Sequence, residues 1–245
     1  MFNLNLELIR KQAEATYPEE AVWFVTEARG LYQVENIHED PENFFRVSSL
    51  HSLKATQEGL LAVIHSHCDG DPVPSAADMS LQIRLDVPCG ILNTDGTNTS
   101  AITWMDGTLQ PLERRPFIHG IADCYSVVRD YYRMNSVELP EVPRDWQWWE
   151  EGNNFLEELF AEFGFYEVNA DEAREGDMWF DQIRGPVVPH CGILLDNDLI
   201  LHHPGSGEPI DLSKLSVIEP VYRYLPYIKK FLRHYDYSSS ARQLS

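Results

Sequence analysis

Leu60-Leu61-Ala62-Val63-Ile64-His65-Ser66-His67, followed after a seven-residue loop by Ser75-Ala76-Ala77-Asp78, decides the fold of the first half of this chain. Five successive apolar residues behind Gly59 are too few for a stable helix and predict a buried strand. Side chains alternate along a strand, so His65 and His67 face one side and can share one metal ion. Beyond Ser75 the pattern turns helical to about Leu85. Ser75 and Asp78 have the spacing of a capping box, with Asp78 reaching back to the helix start. The same approach can carry the Asp78 carboxylate to the two imidazoles. Two histidines and one carboxylate leave a fourth tetrahedral position open for water, the donor set of a catalytic rather than a structural zinc site. Taken singly, each piece has a plainer reading: polar histidines at a strand end, and a helix cap.

Upstream, an amphipathic helix is expected from Leu4 to Ala15, ended by Pro18, and then a strand from Ala21 to Val25. Downstream, Gly90-Ile91-Leu92 and the run from Ser100 to Trp104 are strand-like, and Asp106-Gly107 is a turn dipeptide. The stretch from Gly107 to Pro116, with two prolines, two arginines and little periodicity, is the expected linker. A helix from about Cys124 to Met134, a loop with Trp146, Trp148 and Trp149, and a helix near Asn154 to Phe163 follow it. Short strands are expected at Asp177 to Phe180, Cys191 to Leu195, Leu199 to His202 and Leu215 to Tyr222. Helix first and sheet afterwards predicts an α+β second half.

At 245 residues the chain is long enough for two domains of roughly 110 to 130 residues, each with its own core. The apolar fraction of 43% and charged fraction of 24% are those of a globular protein, so disorder is expected only around Ser238 to Ser245. A formal charge of -20 argues against tracking a phosphate backbone, and no nucleic-acid partner is expected. Acidic side chains gather between Glu150 and Asp177 and are expected to form a solvated face. No run approaches the ~18 apolar residues of a membrane span. Glu7, Arg10, Lys11 and Glu14 stand where a signal peptide would be apolar. A soluble chain with reduced thiols is expected.

A second constellation lies downstream. Asp123-Cys124 opens a helical pattern, which places the thiol in a first turn where the helix dipole favours the thiolate. His190, within Pro189-His190-Cys191-Gly192-Ile193, is a candidate base. Asp196-Asn197-Asp198 is a turn-like break that folds two strands into a hairpin and brings a second histidine beside the first to orient its ring. Parity alone does not choose between His202 and His203 without the turn length. Cys191, next to His190 in a strand, is expected to face away as a packing residue, and Cys68 and Cys89 are also expected to pack.

Taken together, the pattern HxH, seven residues, Ser, two residues, Asp resembles the JAMM motif of the MPN-type metallopeptidases. The resemblance implies that His65, His67 and Asp78 hold one Zn2+ ion and that Ser75 donates to the oxyanion. It also implies an upstream glutamate as general base: Glu20 in Pro18-Glu19-Glu20, with Glu19 as the neighbouring alternative. Asp123-Cys124, Gly176-Asp177-Met178-Trp179-Phe180 and His190-Cys191-Gly192-Ile193 resemble the NlpC/P60 cysteine peptidases. There Cys124 would be the nucleophile, His190 the base and His202 its orienting partner. The implied fold is a JAMM/MPN α/β domain of cytidine-deaminase type over residues 1–108, a linker over 109–116, and a papain-like α+β domain over 117–238.

The two domains in this order are similar to the tail tip assembly protein K family of lambda-like phages. Arg115-Pro116-Phe117-Ile118-His119-Gly120 leading into Asp123-Cys124-Tyr125 carries the closest agreement. The resemblance implies a hydrolase acting on peptidoglycan stem peptides and on a peptide or isopeptide bond. It further implies other tail tip proteins as partners, the host bacterial cytoplasm as the place of assembly, and the virion tail tip as a further location.

Overall fold

The apolar run at Leu60 forms the middle strand of a five-stranded sheet in the computed structural model, which describes residues 4–182 and 187–237. The tail from Ser238, including the last residue assigned to the second domain, lies outside the described residues. The chain divides into two compact units, Met1–Thr108 and Leu109–Ser245.

In the first unit, α1 (Leu6–Thr16) is capped by Asn5, whose side chain accepts from the Leu8 N–H. It is followed by β1 (Val22–Thr26), β2 (Gly30–Val34), α2 (Ser49–Gln57), β3 (Leu60–Cys68), α3 (Ala76–Leu85), β4 (Cys89–Thr94) and β5 (Thr103–Met105). The sheet order is β2-β1-β3-β4-β5. α1 buries Ile9 and Ala13 against Trp23, Ile64 and Leu92, and Ile9 alone contributes about 1.5–3 kcal/mol by leaving water. β3 is apolar on both faces because it is the central strand. It pairs antiparallel with β1 and parallel with β4, so α3 is the crossover helix of a βαβ unit. That topology brings the N-terminus of α3 to the carboxyl end of β3, where open α/β sheets place their ligands.

The second unit contains β6 (Pro116–Ile118), α4 (Cys124–Met134), α5 (Phe155–Leu159), β7 (Phe165–Val168), β8 (Met178–Asp181), β9 (His190–Leu195), β10 (Leu199–His202), β11 (Ile210–Leu215), β12 (Val217–Pro220) and β13 (Ile228–His234). Six strands make an antiparallel sheet in the order β12-β10-β9-β8-β13-β7, and β6 pairs with β11. α4 lies on β9 through Val127, Val128, Tyr131 and Tyr132, packed with Phe180, Cys191 and Ile193. The β9–β10 hairpin turns through Asp196-Asn197-Asp198, with Asn197 and Asp198 at φ 60° and 57°. Asn and Asp enter this left-handed region at the least cost of the non-glycine residues. The turn pairs Leu195 with Leu199 and Gly192 with His202. A Cβ on Gly192 would stand 2.7 Å from the Leu201 carbonyl oxygen and 2.8 Å from the His202 Cβ, so only glycine lets the strands close here.

Three expectations are corrected. The stretch expected as a linker is ordered into the second unit. Arg115 is buried, its guanidinium bonds Asp130 at 2.8 Å and the Gln110 and Pro111 carbonyls, and its N–H donates to the Ser216 hydroxyl. Periodicity missed this because the segment is held by side-chain bonds to distant residues. The acidic stretch is not wholly a solvated face: Asp177 is 1% exposed and accepts two bonds of 2.8 Å from Arg233. The helix near Asn154 is a short piece, Phe155–Leu159. β2, α2, β6, β7, β11 and β13 were not anticipated, being short or half-exposed and lacking a clear period.

Asp130→Ala is expected to leave the Arg115 charge buried without its counter-ion and to cost about 3–5 kcal/mol. Urea unfolding followed by circular dichroism measures it, and a change within about 0.5 kcal/mol would contradict the buried-pair account.

Candidate active sites

In the first unit, His65 and His67 project from the same side of β3, and their Nε2 atoms are 3.1 Å apart. Asp78 meets both, Oδ1 at 3.2 Å from His65 Nε2 and Oδ2 at 3.4 Å from His67 Nε2. Ligands at about 2.0–2.1 Å from one tetrahedral ion stand about 3.3 Å apart, so the three donors are spaced as a metal would need them. His67 Nδ1 donates to the Asp71 carbonyl at 3.1 Å, which leaves Nε2 with its lone pair toward the gap. His65 Nδ1 is buried without a partner among the described residues, with Phe45 stacked on the ring at 4.6 Å. The donors therefore fit a metal ion, and the identity of the ion is not fixed by them.

Asp78 owes its position to the helix cap. Its Oδ2 accepts from the Ser75 N–H at 2.9 Å and the Ser75 hydroxyl at 2.7 Å, while its own N–H donates to Ser75 Oγ. The capping box and the ligand geometry are thus one arrangement. Burial favours the neutral carboxyl, but His65 and His67 outweigh it and hold Asp78 well below the usual carboxylate range. Burial drives the His65 ring toward its neutral form. Glu20 is 5% exposed and lines the same cavity of about 780 Å3 as His67, Ser75 and Asp78, whereas Glu19 is exposed. Burial pushes the Glu20 carboxyl up to about 8, with His67 opposing and Asp78 adding. The thiols of Cys68 and Cys89 are pushed up by burial to about 11 and about 12, so neither is a ready thiolate ligand.

In the second unit, Cys124 is the first residue of α4, behind an Asp123–Ser126 capping box. Asp123 is fully engaged: Oδ1 accepts from the Ser126 N–H, and Oδ2 from the Gly120 N–H and from Arg144 at 2.6 Å. His190 Nε2 lies 2.9 Å from His202 Nδ1, and His202 Nε2 lies 3.0 Å from Glu219 Oε1. With Glu219 ionised, His202 carries its proton on Nε2 and offers Nδ1 as acceptor to His190, an assignment made from the partners. Burial, helped by His190, holds His202 down to about 4, so it stays neutral. His203 is turned away, its Nε2 donating to the Arg115 carbonyl at 3.0 Å.

The Cys124 thiol is drawn well below the ordinary thiol range by a hydrogen bond with Cys191 and, against the effect of burial, by its hydrogen bond and charge interaction with His190. His190 is raised in turn: burial lowers it, but Cys124 and then Asp181 and Asp123 outweigh that. The two groups therefore favour a thiolate–imidazolium pair. Cys124, His190 and His202 line one cavity of about 540 Å3 with Trp148, Phe155 and Asp181.

Cys191 packs in the core as expected, fully buried. It does lie on the face opposite His190, but that face is the one α4 covers, and its thiol meets Cys124. His190, at the first position of β9, reaches the same thiol from the strand end. Two residues were missed. Glu219 is brought beside His202 by the pairing of β10 with β12, and Asp181 beside His190 by the pairing of β8 with β9. Neither is marked by a local pattern, and only strand register reveals them.

Residues 5–105 match the family of prokaryotic homologues of the JAB domain, and residues 114–225 match the NlpC/P60 family. Tail tip assembly protein K of Escherichia phage N15 is 29% identical over 213 residues, which is 81% of this chain and 83% of that protein. Tail tip assembly protein K of Escherichia phage lambda is 30% identical over 158 residues, 62% of this chain and 73% of that protein. A solved NLP/P60 family protein of Staphylococcus aureus, described as similar to a lipoprotein, is 19% identical, covers 50% of this chain and 37% of its own, and has a TM-score of 0.33. The chain belongs to the tail tip assembly protein K family, with a JAB-type α/β domain followed by an NlpC/P60 α+β domain.

Proposed function

We propose that this chain is a two-centre peptidase of the tail tip: Cys124, His190 and His202 hydrolyse peptidoglycan stem peptides, and the His65–His67–Asp78 centre cleaves a peptide or isopeptide bond in a protein substrate. The observation that carries the reading is the bonded line from His190 through His202 to Glu219, with Cys124 on the same cavity wall and its thiol drawn down by His190. A packing role does not call for such a line.

Cys124 sulfur attacks the carbonyl carbon as thiolate, forming the C–S bond. The N–H groups of Cys124 and Tyr125 in the first turn of α4, which helix geometry leaves without intrahelical acceptors, stabilise the oxyanion. His190 gives its proton to the leaving nitrogen as the C–N bond breaks. It then takes a proton from water, which attacks the thioester and returns Cys124 as thiolate. Nε2 of His190 is held by His202, so Nδ1 is the nitrogen that exchanges the proton. Glu219 positions His202 rather than touching the substrate, and its bonds to Arg223 and Tyr224 hold it in place.

At the first centre, His65, His67 and Asp78 would hold Zn2+. When bound there, zinc supplies Lewis acidity to the scissile carbonyl and acidifies water toward pKa ~7. Glu20 takes the proton from the attacking water and passes it to the leaving nitrogen, a task suited to a carboxyl whose pKa is raised toward neutrality. Ser75, whose hydroxyl secures Asp78, is the donor for the oxyanion, exchanging one acceptor for the other.

Both relatives are named for tail tip assembly. The same role here implies other tail tip proteins as partners, the host cytoplasm as the place of assembly and the virion tail tip as a further location. No helix among the described residues is long and apolar enough to cross a membrane.

Mass spectrometry of peptidoglycan digests tests the cysteine centre: wild type releases shortened stem peptides, and Cys124→Ala lowers the rate by about a thousandfold or more. Equal digestion by both proteins would sink the assignment. Metal analysis tests the other centre: wild type should carry about one zinc per chain, and His65→Ala/His67→Ala should carry almost none. Equal zinc content in the two would remove the ligand set.

A further inference from the structure

Cys191 has no exposed surface and lies on the face of β9 that α4 covers. Its thiol is in hydrogen-bond contact with that of Cys124 at the helix start. The hydrolysis described above uses no second thiol, and a residue that only packs does not need sulfur, since another small apolar side chain fills such a place as well. The two thiols differ in access: Cys124 lines the cavity and can be met by a small solute, whereas Cys191 is met from behind it. Cys68 and Cys89 form no such pair, because they stand at opposite ends of the β3–β4 ladder, across from Thr94 and Val63. All four cysteines are free thiols in the structure.

Two thiols in contact are the arrangement from which a disulfide of about 2.05 Å closes. We propose that Cys124 and Cys191 form a redox switch, in which a hydroperoxide oxidises the nucleophile and Cys191 closes a disulfide on it that a dithiol reopens. The Cys124 thiolate attacks the O–O bond of the peroxide. An S–O bond forms, the sulfur gives up an electron pair, and hydroxide or alkoxide leaves. The Cys191 sulfur then displaces the hydroxyl of the sulfenic acid: the S–S bond forms as the S–O bond breaks, and the Cys191 proton departs with the hydroxide as water. A dithiol reverses the step by exchange, its first thiolate taking one sulfur and its second thiol releasing the mixed disulfide. The charges of the two thiols set the order of events. Cys124 is the lowered thiol and so the one that meets the peroxide as thiolate. Cys191 is raised by burial and then by the hydrogen bond and charge of Cys124. The last two effects end once Cys124 is a neutral sulfenic acid, so Cys191 becomes the readier nucleophile only after its partner is oxidised. The switch goes beyond hydrolysis and needs the reactivity of the Cys124 thiolate alone.

Peptide mapping of the full chain tests it. The protein is treated with hydrogen peroxide, alkylated, digested and analysed by mass spectrometry, with and without later dithiothreitol. Wild type is expected to yield a Cys124–Cys191 cross-linked peptide, two hydrogens lighter than its separate halves, and to return Cys124 as thiol after dithiothreitol. In Cys191→Ala, or Cys191→Ser if the alanine variant fails to fold, Cys124 should advance to sulfinic acid, and at one peroxide dose at least about tenfold more of it should be lost irreversibly than in wild type. Wild-type Cys124 that stays unoxidised, or that accumulates as sulfinic acid without the cross-link, overturns the proposal. So does equal irreversible loss in the two proteins. Stem-peptide release by the same samples separates the readings: the cross-link should lower it at least about tenfold, because no thiolate remains to attack, and dithiothreitol should restore it. Release undiminished in the cross-linked protein overturns the switch. If the cross-link forms and reverses while the reduced protein releases no stem peptide, the peptidase reading fails and the redox pair stands.

Discussion

A β-strand turns successive side chains to opposite faces, and both candidate sites depend on which face each residue is given. In the first unit the alternation along β3 sets His65 and His67 side by side, and parallel pairing with β4 makes α3 return with its N-terminus at the same strand end. In the second unit it separates His190 from Cys191. A shift of one residue in the β9–β10 register would move His202 away from His190 and break the line to Glu219. Gly192 guards that register, since any side chain there would collide with the Leu201 carbonyl and His202.

The helix starts supply the second half of each site. Ser75 and Asp123 both close capping boxes, and in each case the cap also places a candidate site residue. At α3 the capping carboxylate is itself the third donor beside the two imidazoles. At α4 the cap fixes the first turn, where Cys124 lines the cavity. Local backbone satisfaction and site geometry are therefore the same bonds, and a substitution at Ser75 or Asp123 disturbs both.

Much of this was legible in the sequence where a local period or cap encodes it. The buried strand into His65, the helix from Ser75, the helix that opens on Cys124 and the hairpin through Asp196 to Asp198 all carry short-range signals. The choice of His202 over His203 needed the turn length, which Leu195 opposite Leu199 supplies. The choice of Glu20 over Glu19 needed burial. Glu219 and Asp181 were illegible because each acquires its meaning from a partner on another strand. The segment at Arg115 read as a linker because its order comes from Asp130 and Ser216, far along the chain. The acidic stretch read as solvated face because nothing near Asp177 announces Arg233.

The central claim is that the fold of the second unit makes a thiolate–imidazolium pair of Cys124 and His190. The pH dependence of Cys124 alkylation by iodoacetamide, followed by peptide mapping, tests it most directly. Cys68, Cys89 and Cys191 all have raised thiol pKa values, which keeps their background low. A thiol lowered in this way ionises at lower pH than an ordinary one, so the wild-type rate should reach its plateau at lower pH than that of an unperturbed thiol. His190→Ala should move the rise to clearly higher pH, because the stabilising imidazolium is lost while the Cys191 hydrogen bond remains. A wild-type rate that climbs through pH 8 to 9 like that of His190→Ala would contradict the pair.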